Sequence, residues 1–276
     1  MVAVYALLGV SSTFDNDQAL VTSPLFSPLT LGFIRLALAV YTFTTCVVVV
    51  TWEGVNAHST RNFGYFSYFT DLSYIGLCAY FWASSVQTLA FASRREKSYP
   101  LQGWPRVFQF LHVLLYSTVT TFPIIVTVVY WVLLSSNSFA TRYTTWSNIS
   151  QHAFNTVFAL FEILLTYGGP NPWSHLPFLV IILALYLGVA YITHATQGFY
   201  TYDFLNPEKE GAVLAGYIVG IAVGEIIVFT LTRYLMVFRN WLAARLGKGR
   251  IQQRRASIKS EDWEEVERPG SRSMSL

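Results

Sequence analysis

The stretch Thr30-Leu-Gly-Phe-Ile-Arg35-Leu-Ala-Leu-Ala-Val-Tyr-Thr-Phe-Thr-Thr-Cys46-Val-Val-Val-Val-Thr-Trp52 is apolar along its whole length apart from one arginine, one glycine and a scatter of threonines. About 20 such residues in an α-helix reach across the hydrocarbon core of a bilayer. Five further stretches read the same way, near 66–92, 107–134, 147–167, 175–193 and 211–232, of which the fifth span, 175–193, is the shortest. Hydrophobic residues make up 53% of the 276 and charged residues 12%, and the mean hydropathy is +0.43, so much of the chain must face lipid. The expected fold is all-α: a polytopic membrane helical bundle with six transmembrane helices over residues 30–240. It is preceded by an arm (1–29) at the cytoplasmic interface and followed by a tail (241–276) that is basic, then acidic, and largely disordered.

Lysine and arginine set the orientation. Arg94, Arg95, Lys97 and Arg106 follow the second span, and Arg245, Lys248, Arg250, Arg254, Arg255 and Lys259 follow the sixth. The opposite loops hold only Arg61, Arg142 and Lys209, so the positive-inside rule places both termini in the cytoplasm, of the endoplasmic reticulum or plasma membrane type. Trp52, Trp104, Trp131, Trp146, Trp173 and Trp241 fall at span ends, as an aromatic belt does. The net charge of +3 is therefore local: it suits anionic lipid and gives no sign of a nucleic-acid partner. Cys46 and Cys78 lie inside spans and imply no disulfide framework. The sequon Asn148-Ile-Ser150 sits almost in the bilayer, where no glycan is expected.

Polar residues inside spans are costly and usually have a role. A helix rise of about 1.5 Å per residue sorts them by depth. Thr70, Asp71 and Ser73 lie roughly one turn into the second span and His152 about 8 Å into the fourth, with His194 and Gln197 closing the fifth at that same outer level. A deeper layer collects Arg35, Gln109, His112, Glu162 and Glu225, where an arginine paired with a glutamate is the ordinary way to keep charge inside a bundle. In the outer layer the chemistry is complementary. An alcohol is a weak nucleophile that needs a base, and His152 is suited to take the proton of Thr70, with Asp71 or Ser73 orienting the imidazole. A threonine bonded to its own helix and a histidine bonded to a neighbouring one would satisfy the same residues without any reaction. Asn148, Gln197 or a backbone N–H are the candidates for an oxyanion donor.

Other chemistries fit less well. The five histidines, at 58, 112, 152, 175 and 194, lack the short spacings of membrane di-iron enzymes. A metal held by His152, His194 and Asp71 remains conceivable, but none is expected. The chain has no GxSxG elbow, Walker loop or dinucleotide fingerprint, and no span holds a lysine for a retinal Schiff base.

Trp146, Asn148, His152 and Glu162 together resemble the androgen-induced and androgen-dependent TFPI-regulating family of six-span membrane threonine hydrolases, which share a Trp, an Asn two residues on, a His at plus six and a Glu at plus sixteen. Phe69-Thr70-Asp-Leu72-Ser73 is similar to that family's Leu-Thr-x-Leu/Ile-Asn/Asp. The run from His194 to Leu205 is similar to its His-x-Thr-Gly-x-Trp-x-Tyr-Pro-Phe-Leu, and Gly224-Glu225 to its Gly-Glu. The likeness covers roughly residues 30 to 240. It departs at Ile149, where relatives often carry a second histidine, at Asp203, which stands for the proline, and by one inserted residue in the loop after the fifth span. The resemblance implies hydrolysis of fatty acid esters of hydroxy fatty acids, with the threonine nucleophile falling on Thr70 and the histidine on His152, and with no cofactor. Ser67, one turn before Thr70, is the alternative nucleophile. The rival expectation is a non-enzymatic protein that binds or transports lipid or protons through the layer of Arg35, His112, Glu162 and Glu225. In either case the partners are a lipid and the bilayer.

Overall fold

The computed structural model describes residues 2–60 and 64–246 of the chain. Among them there are helices and turns and no strand. In chain order the α-helices are α1 (Val2–Leu7), α2 (Pro28–Thr60), α3 (Phe69–Ser93), α4 (Arg106–Val129), α5 (Arg142–Ile149), α6 (Asn155–Leu165), α7 (Leu176–Gln197), α8 (Pro207–Glu210) and α9 (Val213–Arg245). Five helical segments are long and apolar enough to cross a membrane: Pro28–Asn56, Phe69–Ser93, Arg106–Leu134, Trp173–Gln197 and Val213–Arg245. Large apolar side chains such as Phe33, Leu185, Val219 and Leu231 stand exposed on them, as faces turned toward lipid do. The chain is an all-α helical bundle of multi-pass membrane type.

The fourth expected span is built differently from the rest. It is helical from Arg142 to Leu165, but in three pieces, because Ser150–Phe154 winds as a π-helical turn between α5 and α6. A second π-helical turn, Tyr130–Leu134, extends α4. π-turns widen a helix by one residue and release backbone carbonyls, which is why they recur where a helix must present a group to its neighbour. Here the two π-turns meet: Trp131 Nε1 donates to the carbonyl of His152 at 2.8 Å. Below this contact, Thr127 Oγ1 donates to Asn155 Oδ1 at 3.0 Å and lies 2.7 Å from Thr156 Oγ1, and Thr156 Oγ1 donates to the Pro123 carbonyl at 3.0 Å. Without a hydrophobic drive between helices in lipid, such hydroxyl and amide contacts are part of what fixes α6 against α4.

α2 and α3 form the most extensive helix pair, and Gly32 permits their approach: a methyl group there would come within 2.6 Å of Leu89 Cδ2. The central apolar core joins Tyr74, Leu77 and Phe81 of α3 with Tyr116 and Val119 of α4, Phe158 and Ile163 of α6, and Met236 of α9.

The arm expected to lie at the interface is folded onto one end of the bundle. Val10, Phe14 and Val21 pack with Phe91, Tyr99, Leu101 and Val113. Ser174 Oγ donates to the Leu7 carbonyl at 2.5 Å, and His175 Nε2 lies 3.1 Å from the carbonyl of Leu8. The last helix runs into the start of the expected tail. α9 continues to Arg245, whose guanidinium sits 4.5 Å over the Trp241 ring, because Trp241, Leu242 and Ala243 keep up the apolar face. The rest of the expected tail lies outside the described residues.

Candidate functional site

Thr70 is the second residue of α3. Tyr68 precedes that helix in an extended conformation (φ −93°, ψ 134°) and makes no side-chain cap. The Leu72 N–H closes the first turn onto the Tyr68 carbonyl at 3.1 Å, so the earlier N–H groups are those a helix start leaves open. Thr70 lines a cavity of about 310 Å³ between α3, α4 with its π-turn, α7, α9 and residues 202–205, with Ile125, Val180 and Ala222 in its lining. None of the lining side chains is charged, and the polar ones are Thr70, Tyr130, Tyr186 and Tyr202. That combination, a mostly apolar concavity with a few polar groups, is the usual form of a small-molecule site.

His152 lies in the π-turn, 7% exposed. Its ring is stacked on that of Tyr130, with centroids 3.5 Å apart and planes at 4°. Its Nδ1 is buried and has no hydrogen-bond partner. His152 does not line the cavity and no hydrogen bond joins it to Thr70. Tyr130 belongs to the same cavity wall as Thr70 and carries the imidazole on its ring. The Tyr130 hydroxyl is engaged elsewhere, 2.6 Å from Ser138 Oγ.

The other expected outer residues divide. Asp71 is buried and accepts from Gln151 Nε2 at 2.6 Å, so Gln151, next to His152, is its partner, and His152 is not. Ser73 Oγ returns to the Thr70 carbonyl at 3.0 Å. Asn148 Nδ2 donates to the Ser138 carbonyl at 3.0 Å, and Ser150 of the same sequon is fully buried with its hydroxyl 2.7 Å from that of Tyr41. Gln197 is exposed. His194 stacks on Tyr200 with centroids 3.8 Å apart, and its Nδ1 is buried without a partner. Ser67 is buried, accepts from Thr193 Oγ1 at 3.0 Å and is absent from the cavity wall. Among the described residues no three His, Cys, Asp or Glu side chains gather as a metal site would need.

Tyr130 and two further tyrosines of the wall, Tyr186 and Tyr202, were not singled out from the sequence as site residues. Tyr186 donates to the Ser67 carbonyl at 3.1 Å, and its hydroxyl lies 3.2 Å from Thr201 Oγ1. The Tyr202 hydroxyl lies beside the side chain and the backbone of Thr70. Burial pushes its phenol well above the usual range, the neighbouring Tyr186 adds to this, and Thr70 opposes it, so Tyr202 is a neutral O–H donor at neutral pH.

The inner layer also divides. Arg35 and Glu162 form a two-pronged pair, Nε to Oε1 at 2.8 Å and Nη2 to Oε2 at 2.7 Å, with both side chains fully buried. Tyr80 donates to Glu162 Oε2 at 2.9 Å, and Arg35 Nη1 reaches Thr88 Oγ1 at 2.7 Å and the Leu20 carbonyl at 2.8 Å. His112 adjoins this cluster through Tyr80, at 5.8 Å between ring centroids. Gln109 donates to the carbonyls of Leu101 and Gln102. Glu225 stands apart from that cluster: it is fully buried, with neither carboxyl oxygen in good hydrogen-bond geometry and the Thr121 side chain as its polar neighbour. A buried polar group without partners costs about 1–3 kcal/mol. Glu225→Leu is accordingly expected to raise the thermal midpoint of the purified protein; an unchanged or lowered midpoint would mean that Glu225 is stabilised by contacts of its own.

No family model, no curated protein and no solved structure matches the chain.

Proposed function

We propose that the chain is an integral membrane lipid ester hydrolase in which Thr70 is the nucleophile and His152 the general base. The observation that carries this reading is Thr70 itself: a hydroxyl on the wall of an uncharged, mostly apolar cavity of about 310 Å³, with an imidazole stacked on the ring of Tyr130, another residue of that wall. A fatty acyl chain is matched to such a lining, and the resemblance to the six-span threonine hydrolases makes fatty acid esters of hydroxy fatty acids the proposed substrates. In this reading the interrupted segment 142–165 is the fourth of six spans, both termini are cytoplasmic, and the ester enters laterally from the outer leaflet.

The chemistry is acyl transfer. Thr70 Oγ attacks the ester carbonyl, its proton passes to His152, and the carbonyl π pair moves onto oxygen. The intermediate collapses to an acyl-threonine while the alkoxide leaves with the proton from His152. Water then attacks the acyl-threonine, giving up its proton to His152, and Thr70 recovers a proton as the fatty acid departs. No hydrogen bond joins Thr70 and His152, and catalytic hydrogen bonds commonly tighten only when substrate is bound.

The rival reading, a pathway through Arg35, His112, Glu162 and Glu225, has less support. Arg35 and Glu162 are locked to each other and to Tyr80 and Thr88, and Glu225 shares none of those bonds.

A fluorophosphonate probe separates the two. Incubation with the purified protein, followed by peptide mapping, is expected to place the phosphonyl group on Thr70, and labelling is expected to vanish in Thr70→Ala and His152→Ala. If both variants label like the parent, the assignment is wrong. If labelling disappears only in Ser67→Ala, the nucleophile is Ser67.

A further inference from the structure

The attack on an ester places a full negative charge on the former carbonyl oxygen, and a site built of apolar side chains must supply a donor to that oxygen. Asn148 and Gln197 were the side-chain candidates from the sequence. Asn148 gives its Nδ2 to Ser138, Gln197 is exposed, and neither belongs to the cavity wall. Within the wall, polar hydrogens other than that of Thr70 come from three tyrosines. Tyr130 is tied to Ser138 at 2.6 Å, and Tyr186 to Ser67 and Thr201. Tyr202 has its hydroxyl beside Thr70.

We infer that Tyr202 is a catalytic residue, the donor that holds the oxyanion formed when Thr70 attacks an ester. This rests on the hydrolase reading proposed above. The ring is positioned before any substrate arrives. It stacks on Phe204 with centroids 5.2 Å apart and planes at 4°, and meets Tyr68 and Tyr186 at 5.6 and 6.2 Å. Phe204 is itself buried with Leu205 against Ala190, so the 203–205 turn fixes the phenol from behind. A donor held this way has little reorganisation to undergo as charge develops, and in an uncharged cavity its hydrogen bond to an oxyanion is much stronger than in water. The ground-state carbonyl, less charged, gains less, so the effect falls on turnover more than on binding. Proton traffic stays between Thr70 and His152: Tyr202 donates a hydrogen bond and keeps its proton.

The test is Tyr202→Phe, which removes one oxygen and keeps the ring that stacks on Phe204. Hydrolysis of a fatty acyl ester in detergent is followed with turnover expressed per Thr70 that the fluorophosphonate titrates at exhaustive incubation, so unfolded molecules do not count. The expected result is a fall in kcat of about 10²–10³-fold, the loss typical of one oxyanion donor, with KM within a few-fold of the parent. Tyr202→His, which restores a ring donor, is expected to recover part of it. Unchanged kcat overturns the inference, and so does a rise in KM with kcat retained, which would make Tyr202 part of the binding wall only. If the unaltered chain neither turns over ester nor carries the adduct on Thr70, the hydrolase reading has failed and the role of Tyr202 falls with it. A parent chain that turns over and labels, beside an unaffected Tyr202→Phe, refutes the inference on its own.

Discussion

Arg35→Met, in an otherwise unchanged chain, is expected to lower the stability of the bundle by about 3–5 kcal/mol, the usual consequence of leaving one member of a buried ion pair without its partner. The size follows from how completely the pair is enclosed. Both side chains have no exposed surface, and the guanidinium makes two parallel bonds to the carboxylate while its remaining nitrogen donors are spread over Thr88, Leu20 and Tyr80. Removing the arginine strands Glu162 in the core with Tyr80 as its remaining donor, and takes away the bonds from α2 to Glu162 of α6 and to the Leu20 carbonyl of the N-terminal arm. The double variant Arg35→Met, Glu162→Met takes out both charges and substitutes apolar volume, and is expected to recover most of the loss. Thermal midpoints in one detergent compare the three proteins. A single variant as stable as the parent would show that the pair contributes nothing, and a double variant no better than the single would place the cost in lost packing.

Arg35 and Glu162 also show what a sequence of this kind reveals. Counting residues from the span ends gives the height of a side chain in the bilayer, and two opposite charges at one height in a low-dielectric bundle have strong reason to pair. Height says nothing of azimuth. Glu225 was assigned to the same layer on the same count, yet it shares no bond with Arg35. Asp71 likewise lies at the level of His152 but is bonded to Gln151, one residue away, because a helix presents neighbouring residues about 100° apart. Apolar length made the long helices legible. The π-turns at 130–134 and 150–154 were not, since contacts across the helix pair accompany them: the stack of His152 on Tyr130 and the bond from Trp131 to the His152 carbonyl. Periodicity within one segment carries no trace of either. Tyr130, Tyr186 and Tyr202 were overlooked because a tyrosine among apolar residues has no pattern that separates a cavity wall from ordinary packing. The tryptophans at span ends read as an interfacial belt. Trp131 was counted in that belt and proves to be a bonded part of the helix contact. Thr70 and His152 were brought together by depth and by resemblance, and Tyr130, which shares the cavity wall with Thr70 and carries the imidazole, had no signal of its own.

His152→Ala is expected to reduce kcat for ester hydrolysis by about 10²–10⁴-fold, the range a positioned general base contributes, while leaving the thermal midpoint within a few degrees of the parent. The small effect on stability follows from how lightly the imidazole is tied. Its Nδ1 has no partner, and the bond that knits the π-turn to α4 runs through the His152 carbonyl, which alanine keeps. What alanine removes is the basic ring and its stack on Tyr130. Tyr130→Leu tests the other half of the arrangement, because it leaves the base in place but takes away the surface that orients it. Turnover should fall in that variant too, by less than in His152→Ala, and fluorophosphonate labelling of Thr70 should slow without being abolished. Combining the two substitutions should cost little more than His152→Ala alone, since a platform is of no use without the ring it carries, and residues that act as a unit are not additive. Losses that instead multiply, measured as kcat for the two single variants and the double, would mean that Tyr130 serves the acyl chain and not the base, and that His152 meets Thr70 without it.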